Sequence, residues 1–293
     1  MLYLSSSAIK KRTISEVLRE CVENGIHNIE LSGGTVYYDS IMEDLYYWKE
    51  QAGLQYVCHA YFPPPRQDFV VNLASCNDDI YQRSLQHYFD CIEQMAKLDC
   101  HVLSLHAGFL VEVGVDQIGK EITADIIYDK KEAMERFCHA YESILSKARQ
   151  YKIQVYLENN VLDQGNFKRF HNNNYFLMTD YVSIMEMKQK LDFDLLLDLG
   201  HLFVSSHTLG LNYQEEIRKL NKHVKWLHIS ENDGMLDQHK ILKVDSPIYC
   251  ALLELIRPGL NATLEVKDTM EQVKANYEWL NALLAEYCSK YEE

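Results

Sequence analysis

The sequence predicts an α/β fold, a single (β/α)8 TIM barrel in which a parallel eight-stranded barrel is surrounded by outer helices. Short apolar segments alternate with longer amphipathic segments along the whole chain, which is typical of parallel βα units. Eight such units can be counted, and a length of 293 residues is typical of one barrel. No stretch rich in glycine, serine or proline separates two parts, so one domain over residues 1–293 is expected.

The elements follow from local patterns. Strands are predicted at 2–5, 27–31, 54–59, 101–106, 153–158, 193–198, 224–229 and 260–265. Helices are predicted near 14–24, 39–52, 78–98, 129–150, 180–190, 213–222, 248–256 and 270–289. Thr13 with Glu16 matches a capping box, and Asp180 is a suitable N-cap for the segment that follows it. These start signals agree with the boundaries that the apolar periodicity gives.

The connections between strands and helices differ in length on the two sides of the predicted barrel. Turns that lead into strands are short, such as Asn24-Gly25 and Pro258-Gly259, whereas several loops that follow strands are long. The two longest cover residues 60–77 and 159–179. Loops of this length are often functional, and in a barrel they all lie at the carboxyl ends of the strands. We therefore expect both to cover a substrate.

Composition limits the classes of partner. A formal net charge of −14, from 43 acidic and 29 basic residues, disfavours broad electrostatic binding of nucleic acid or of an anionic membrane. Eight cysteines occur without a C-x-x-C pair, which is typical of reduced thiols in a cytoplasmic protein. Neither a signal peptide nor a membrane-spanning apolar run is expected from the pattern.

Metal-binding side chains recur where the predicted strands end. Six strands end in or next to a histidine or an acid, and three further candidates follow in the loops. The nine residues are His59, His106, Glu158, Asp198, His201, His228, Asp237, His239 and Glu265. Because burying carboxylates and imidazoles is costly unless they are paired or bind a metal, this repetition predicts a metal centre. Imidazole and carboxylate ligands without thiolates favour zinc or manganese, with one to three ions.

Several segments together resemble the xylose isomerase-like TIM-barrel superfamily, which includes endonuclease IV and the sugar phosphate isomerases and epimerases. They are HAYFPPPRQDFVVNLAS, LHAG at 105–108, LEN at 157–159, LDLGH at 197–201, HISENDG at 228–234, DQH at 237–239 and LEV at 264–266. The resemblance extends from about residue 10 to residue 285.

The resemblance implies a set of metal ligands. A core metal ion would bind Glu158, Asp198, His228 and Glu265. In the endonuclease branch, two more ions are implied. His59 and His106 would join Glu158 around one of them, whereas His201, Asp237 and His239 would bind the other. All nine positions are filled in this chain, so the ligand set alone leaves both branches open.

The first functional hypothesis is a metal-dependent isomerase or epimerase of a sugar or sugar phosphate. A divalent ion would chelate vicinal oxygens and stabilise the enediolate formed when a proton leaves the adjacent carbon. Glu158 and Glu265 would transfer the proton, and by resemblance His201 would contact the substrate or a second ion. Four cationic side chains are candidates for binding an anionic group of the substrate: Arg66, Lys168, Arg169 and Lys240.

Two alternatives remain open. One is an endonuclease IV-like phosphodiesterase with three zinc ions, which the full ligand set favours. The charge balance, the lack of glycine in residues 240–245 and the absence of a basic and aromatic series disfavour it. The other is a binding protein that has lost catalysis. The expected partner is a small carbohydrate, with no nucleic acid or membrane partner, and self-association into a homo-oligomer stays open.

Overall fold

A computed structural model describes residues 1–123 and 126–289 of the chain. Eight parallel strands pair in sequence order, and the eighth pairs with the first, so the sheet is a closed barrel. The strands are β1 (Leu2–Ser5), β2 (Asn28–Leu31), β3 (Gln55–His59), β4 (Val102–His106), β5 (Gln154–Glu158), β6 (Asp194–Asp198), β7 (Val224–Ile229) and β8 (Asn261–Leu264). The predicted (β/α)8 fold is confirmed.

Helices surround the barrel. They are α1 (Ile14–Glu23), α2 (Ile41–Ala52), α3 (Asp78–Lys97), α4 (Lys130–Gln150), α5 (Gln164–Arg169), α6 (Tyr181–Lys188), α7 (Leu199–Leu209), α8 (Tyr213–Leu220), α9 (Pro247–Leu255) and α10 (Met270–Ser289). The predicted capping box of Thr13 and Glu16 at α1 is present, and the Asp180 side chain accepts from the backbone N–H of Ser183 at α6. No described helix is both long enough and apolar enough to cross a lipid bilayer.

Two helices depart from the sequence expectation. The helix α5 lies inside the predicted long loop at 159–179, and α7 begins directly after β6, where no helix was expected. Nearly all of residues 199–208 are buried, including Ser205 and Ser206. A helix that is buried over most of its surface lacks the amphipathic repeat that marks a surface helix, which explains why the pattern missed it. The eighth strand also ends one residue earlier than expected, at Leu264.

Apolar side chains fill the space on both sides of the sheet. Inside the barrel, Val57, Tyr156, Leu196 and Trp226 form one buried cluster, and the Tyr3 ring packs 5.3 Å from the Trp226 ring. A much larger cluster lies between the strands and the surrounding helices. The barrel interior is therefore a packed core, and the space left for a ligand lies at the carboxyl ends of the strands.

Two glycines of the sequence motifs lie where the backbone approaches other atoms closely. A Cβ at Gly108, after β4, would be 2.5 Å from the Ala74 Cβ and 3.0 Å from the Asn72 Oδ1. A Cβ at Gly200, in the first turn of α7, would be 2.9 Å from the Asn232 Nδ2. Both glycines thus allow loops at the carboxyl end of the barrel to pack directly against one another.

We expect Gly108→Ala to lower the free energy of unfolding by about 1–3 kcal/mol, since the added methyl group overlaps Ala74 and the loop must shift. Urea denaturation would measure the change. The double variant with Ala74→Gly should recover part of the loss, because the closest overlap is removed. A Gly108→Ala protein as stable as the unchanged chain would show that the close approach is not required.

Candidate metal centre

The carboxyl ends of six strands place charged side chains side by side. His106 and Glu158 are paired residues of β4 and β5, and Asp198 and His228 are paired residues of β6 and β7. Pairing across neighbouring parallel strands brings each pair to the same level of the barrel. Glu265 follows the last residue of β8, and its backbone N–H donates to the carbonyl of Ile229 (3.0 Å).

Glu158 lies at the centre of this cluster and is fully buried. Its Oε1 lies 3.3 Å from the Nδ1 of His228, and its Oε2 lies 3.4 Å from the Nε2 of His59 and 3.3 Å from the Nδ1 of His106. Glu265 approaches the same nitrogen of His228, with its Oε2 at 3.3 Å. Glu158 therefore adjoins two groups of possible ligands, one on each of its oxygens.

A second group of side chains adjoins the first through His201. The His201 Nε2 lies 3.4 Å from the Oδ2 of Asp237, which in turn lies 2.9 Å from the Nε2 of His239. The same His201 nitrogen lies 3.9 Å from the Oδ2 of Asp198. The structure thus brings all nine predicted metal ligands into one continuous cluster at the floor of the barrel mouth.

Four of the imidazoles in this cluster have one nitrogen fixed by a hydrogen bond and the other facing a carboxylate or another imidazole of the cluster. The fixing partners are the Ser104 hydroxyl for His59, the Asn159 carbonyl for His201, the Glu265 carbonyl for His239 and the Glu30 carboxylate for His228. Such an outer hydrogen bond is the usual companion of a metal-binding histidine, because it fixes the ring orientation and the tautomer.

Asp198 has two separate roles in the structure. Its Oδ1 accepts the backbone N–H of His201 (2.7 Å) and thereby caps α7, so His201 is carried into the cluster by the first turn of that helix. Its Oδ2 is buried and has no hydrogen-bond partner within residues 1–123 and 126–289. Asn159 fixes the backbone of Asp198 on the neighbouring strand, accepting its N–H at 2.8 Å. The LEN and LDLGH segments therefore form one unit.

Glu30 is a member of the site that the sequence did not reveal. It lies inside β2, is only 1% exposed, and accepts a hydrogen bond from the Nε2 of His228 (3.1 Å) and one from the Oγ1 of Thr263 (2.9 Å). The Nε1 of Trp226 donates to the same Thr263 oxygen (3.0 Å). Glu30 therefore directs the Nδ1 of His228 toward Glu158 and Glu265.

Hydroxyl groups contact the other glutamate. The Ser7 Oγ donates to the Oε1 of Glu265 (3.2 Å), and the Ser5 Oγ lies 3.4 Å from the same oxygen. Ser32 connects to both, through a 2.7 Å contact with the Ser5 hydroxyl and by accepting the backbone N–H of Ser7 (3.2 Å). The sequence analysis did not predict these hydroxyl contacts, although three consecutive serines at the end of β1 indicate a polar group there.

The cluster is rich in negative charge, and this shifts the titration of its members. Burial raises the pKa of Asp198 to about 6. Burial opposes the shift at Glu158, yet His106 and His228 keep the pKa of that carboxyl below its ordinary value. Burial also opposes the shift at His228, but Glu30 and Glu158 raise the pKa of that ring well above its usual range. The buried carboxylates therefore require positive charge nearby.

The arrangement fits a divalent cation. Both oxygens of Glu158, the Oδ2 of Asp198, the Nδ1 of His228 and the Oδ1 of Asp237 are buried and have no hydrogen-bond partner among the described residues. Ligand atoms about 2.0–2.2 Å from one ion lie about 3.3–3.6 Å from each other in a tetrahedral site. The separations around Glu158 lie in this range. Three compact groups can be drawn among the described residues: His59 with His106 and Glu158, Glu158 with Asp198 and His228, and Glu30 with His59 and His228.

A cavity of about 580 Å³ opens above the cluster. His106, His201, Asp237 and His239 form part of its floor. Both loops that were expected to cover a substrate contribute to its walls, and so do residues 107–122 after β4, which were not expected to. Access to the cluster of candidate ligands therefore runs through a cavity enclosed by these three loops together with residues 236–239 after β7 and Lys267 after β8.

The predicted substrate-binding residues fall into two groups. His201 lines the cavity, whereas the four predicted cationic residues are not among its lining residues. Arg66 lies over the Tyr37 ring and pairs with Asp39 (3.1 Å), and Arg169 donates to the carbonyl of Thr123. The side chains of Lys168 and Lys240 are exposed. Lys120 and Lys267 line the cavity instead.

Comparisons with known proteins agree with this architecture. A family model described as a xylose isomerase-like TIM barrel matches residues 18–283. A crystal structure of a D-tagatose 3-epimerase-like protein has 18% identity and a TM-score of 0.70, covering 100% of this chain and 99% of that one. D-Psicose 3-epimerase from Clostridium cellulolyticum with D-tagatose has 15% identity and a TM-score of 0.65, covering 97% and 99%.

A third similar structure comes from a different class of enzyme. Endonuclease IV from Thermus thermophilus has 16% identity and a TM-score of 0.59, with 97% of this chain and 99% of that chain covered. At these identities the likeness establishes the shared fold. The comparison with curated proteins found no match.

We expect Glu30→Gln to weaken binding of a divalent metal by about 10- to 100-fold, since the neutral amide no longer favours the His228 tautomer with Nδ1 free. Competition with a chromogenic chelator would measure the affinity. Thr263→Val is the matched control, because it removes only the hydroxyl group that supports Glu30, and it should have a smaller effect. Unchanged metal affinity in Glu30→Gln would contradict the role given to this residue.

Proposed function

Since the chain belongs to the xylose isomerase-like TIM-barrel family, we propose that it is a divalent-metal-dependent isomerase or epimerase of a small carbohydrate. The observation that carries the proposal is the position of two glutamates. Glu158 and Glu265 each place one carboxylate oxygen 3.3 Å from the same nitrogen of His228. Two carboxylates beside one ligand position suit proton transfer at a substrate bound there.

The proposed metal ligands are Glu158, Asp198, His228 and Glu265, and zinc or manganese suits this donor set. When bound, a divalent ion would chelate neighbouring oxygens of the sugar and stabilise the negative charge that develops as a proton leaves the adjacent carbon. The chain itself must supply the groups that take and return that proton.

Glu158 and Glu265 are the proposed proton-transfer groups. Burial opposes ionisation of Glu265, yet His228 and His239 keep its pKa well below the usual range, so it begins as a carboxylate. Glu158 is also kept ionised by its histidine neighbours. One glutamate takes the proton from the substrate. In isomerisation it returns the proton to a neighbouring atom, whereas in epimerisation the glutamate on the opposite face delivers one.

The remaining residues around the cluster have supporting roles in the proposal. His201 and His106 line the cavity and are placed to contact hydroxyl groups of the sugar. Burial lowers the pKa of His106 to about 4, so it is neutral near pH 7 and can accept or donate a hydrogen bond. Ser7 fixes one oxygen of Glu265, which limits rotation of that carboxylate.

The second candidate is an endonuclease IV-like phosphodiesterase with three zinc ions. His59 and His106 with Glu158 form a compact ligand group, and His201, Asp237 and His239 form a neighbouring one, which favours this function. The cavity argues against it. Lys120 and Lys267 are the only lysine or arginine side chains among the described lining residues, and Asp163 and Asp237 offset them. A DNA backbone requires a more positive surface.

Metal stoichiometry separates the two candidates. We expect mass spectrometry of the purified protein to give about one divalent ion per chain. The double variant Asp237→Ala and His239→Ala should leave this ratio unchanged, because the proposed core ligands are all retained. About three zinc ions per chain, falling to about two in the double variant, would favour the phosphodiesterase and lead to assays with abasic DNA.

The proposed reaction predicts exchange of protons with solvent. We expect the metal-loaded protein to incorporate deuterium from D2O into at least one member of a panel of ketoses and ring-keto sugars, detected by mass spectrometry. Glu265→Gln should reduce exchange by about 100-fold or more. Glu216→Gln is the control, since Glu216 is also a buried glutamate but accepts the backbone N–H of Tyr181 at the start of α6 and does not line the cavity.

Metal content must be measured in the same samples, because Glu265 is also a proposed ligand. Full exchange by Glu265→Gln with metal bound would rule out its proton-transfer role. No exchange into any sugar by the unchanged protein would rule out the isomerase or epimerase.

A further inference from the structure

The cavity above the metal cluster has two chemically different ends. The floor carries the imidazoles and carboxylates already described, together with Lys267, whose backbone N–H donates to the His239 carbonyl (2.7 Å). Away from this floor, the walls contain the apolar side chains of Val70, Val71 and Leu236. A sugar needs hydrogen-bonding groups around its hydroxyls, whereas these wall side chains are apolar and provide none.

A separate apolar cluster builds one of these walls. It comprises Val111, Ile122 and Phe170, with Phe109, Val113 and Phe176 packed against them, and it is distinct from the cores inside and outside the barrel. The segments that supply it are the loops after β4 and β5, which join through the isolated bridge between Phe109 and Phe176. Four members face the cavity: Phe109, Val113, Ile122 and Phe176.

Polar side chains in the same walls already have partners within the protein. Asn160 donates to the carbonyls of Ala107, Gly108 and Leu177, at 2.8–3.0 Å. Asn166 accepts from Ile122 N–H and donates to the carboxylate of Asp163. The hydrogen-bonding capacity of these two side chains is largely used to fix the loops, so they offer few free donors to a second sugar ring.

The outer edge of the cavity is also apolar, with two side chains that remain open to solvent. Ile118 is 49% exposed and Leu236 is 55% exposed, and both line the cavity. Large apolar side chains around a binding cavity are typical of sites that receive an apolar part of a ligand. The volume agrees, since about 580 Å³ lies within the range of cavities that enclose drug-sized ligands, whereas a free hexose has only about twelve non-hydrogen atoms.

We propose that the substrate is a sugar with an apolar aglycone, an aryl or alkyl glycoside, rather than a free monosaccharide or a sugar phosphate. This inference rests on the proposed function. The sugar lies over the metal cluster, and the aglycone packs between Phe109, Phe176 and Ile118. Because the anomeric carbon of a glycoside cannot open to a carbonyl, the reacting carbonyl is a ketone on the sugar ring, next to a hydroxyl-bearing carbon.

The position of the cationic residues supports the exclusion of phosphate. Arg66 is already paired with Asp39, and Arg66, Lys168, Arg169 and Lys240 do not line the cavity. Lys120 lines it, but its ammonium donates to the carbonyl of Asp116 (3.0 Å). A phosphate monoester normally requires several converging donors or a bidentate arginine. The described lining residues include no arginine, and Lys267 on the floor is the one lysine besides Lys120.

Binding of matched glycosides tests the inference. Isothermal titration of the metal-loaded protein would compare methyl and phenyl glycosides of D-glucose, D-galactose and D-xylose. We expect at least one phenyl glycoside to bind about tenfold or more tightly than its methyl partner, because the phenyl group transfers apolar surface from water to the cavity wall. If no phenyl glycoside binds more tightly than its methyl partner, the inference is overturned.

A pair of variants locates the effect. Ile118→Asn should lower the affinity for the phenyl glycoside more than the affinity for its methyl partner and so remove most of the preference for phenyl over methyl, because a polar side chain then replaces an apolar one in the cavity wall. Ile127→Asn is the matched control, since Ile127 is 46% exposed but does not line the cavity, and it should keep the full preference. Loss of preference in both variants, or in neither, would contradict the proposed location.

These outcomes are independent of the reaction itself. A phenyl preference without deuterium exchange would support the apolar site and refute the isomerase or epimerase. Exchange into free ketoses without any phenyl preference would support the reaction and refute the apolar aglycone. The two proposals can thus fail separately.

Discussion

The concentration of buried carboxylates at one end of the barrel is the constraint on which the rest of the site depends. Glu30, Glu158 and Asp198 are almost entirely buried, and Glu265 and Asp237 adjoin them. Such a group would repel itself strongly in a medium of low dielectric constant. The histidines between the acids reduce this repulsion only by gaining protons, whereas a divalent ion supplies the charge directly and satisfies the vacant oxygens.

The surrounding structure fixes the geometry that this charge requires. The first turn of α7 carries His201 to the cluster because Asp198 caps that helix. Gly200 and Gly108 let neighbouring loops pack without a gap, so few conformations remain available to the strand ends. A metal site is selective when its ligands are held before the ion arrives, and these contacts provide that order.

The sequence was informative about the barrel and about the six candidate ligands at the strand ends, because both depend on a short-range repeat: an apolar strand followed by a polar residue. The strand-end pattern did not predict Glu30, because this residue lies within β2 and not at its end. Its neighbours Ile29 and Leu31 point toward the helices, so a side-chain period of two places Glu30 inside the barrel. An acid at such a position was the available signal.

The cationic residues assigned to substrate binding show the opposite case. Arg66 lies in a long loop, and Lys168 and Arg169 lie in α5, the short helix within the other long connection. The course of both segments depends on tertiary contacts rather than on any sequence period. The same holds for the apolar wall. Phe109 and Phe176 are far apart in the sequence, and they are in contact only because the loops after β4 and β5 pair with each other. Short-range sequence patterns carry no information about contacts between residues that are distant in the sequence.

The chain of hydrogen bonds from Trp226 through Thr263 and Glu30 to His228 connects the interior packing of the barrel to the cluster of proposed metal ligands. Substitutions in the interior are usually judged by their effect on folding alone. In this barrel, replacing Trp226 would also disturb Glu30, the carboxylate that orients the proposed metal ligand His228. These four residues should therefore vary together, rather than independently, among related proteins. A redesign that repacks the barrel interior to stabilise it should leave all four unchanged.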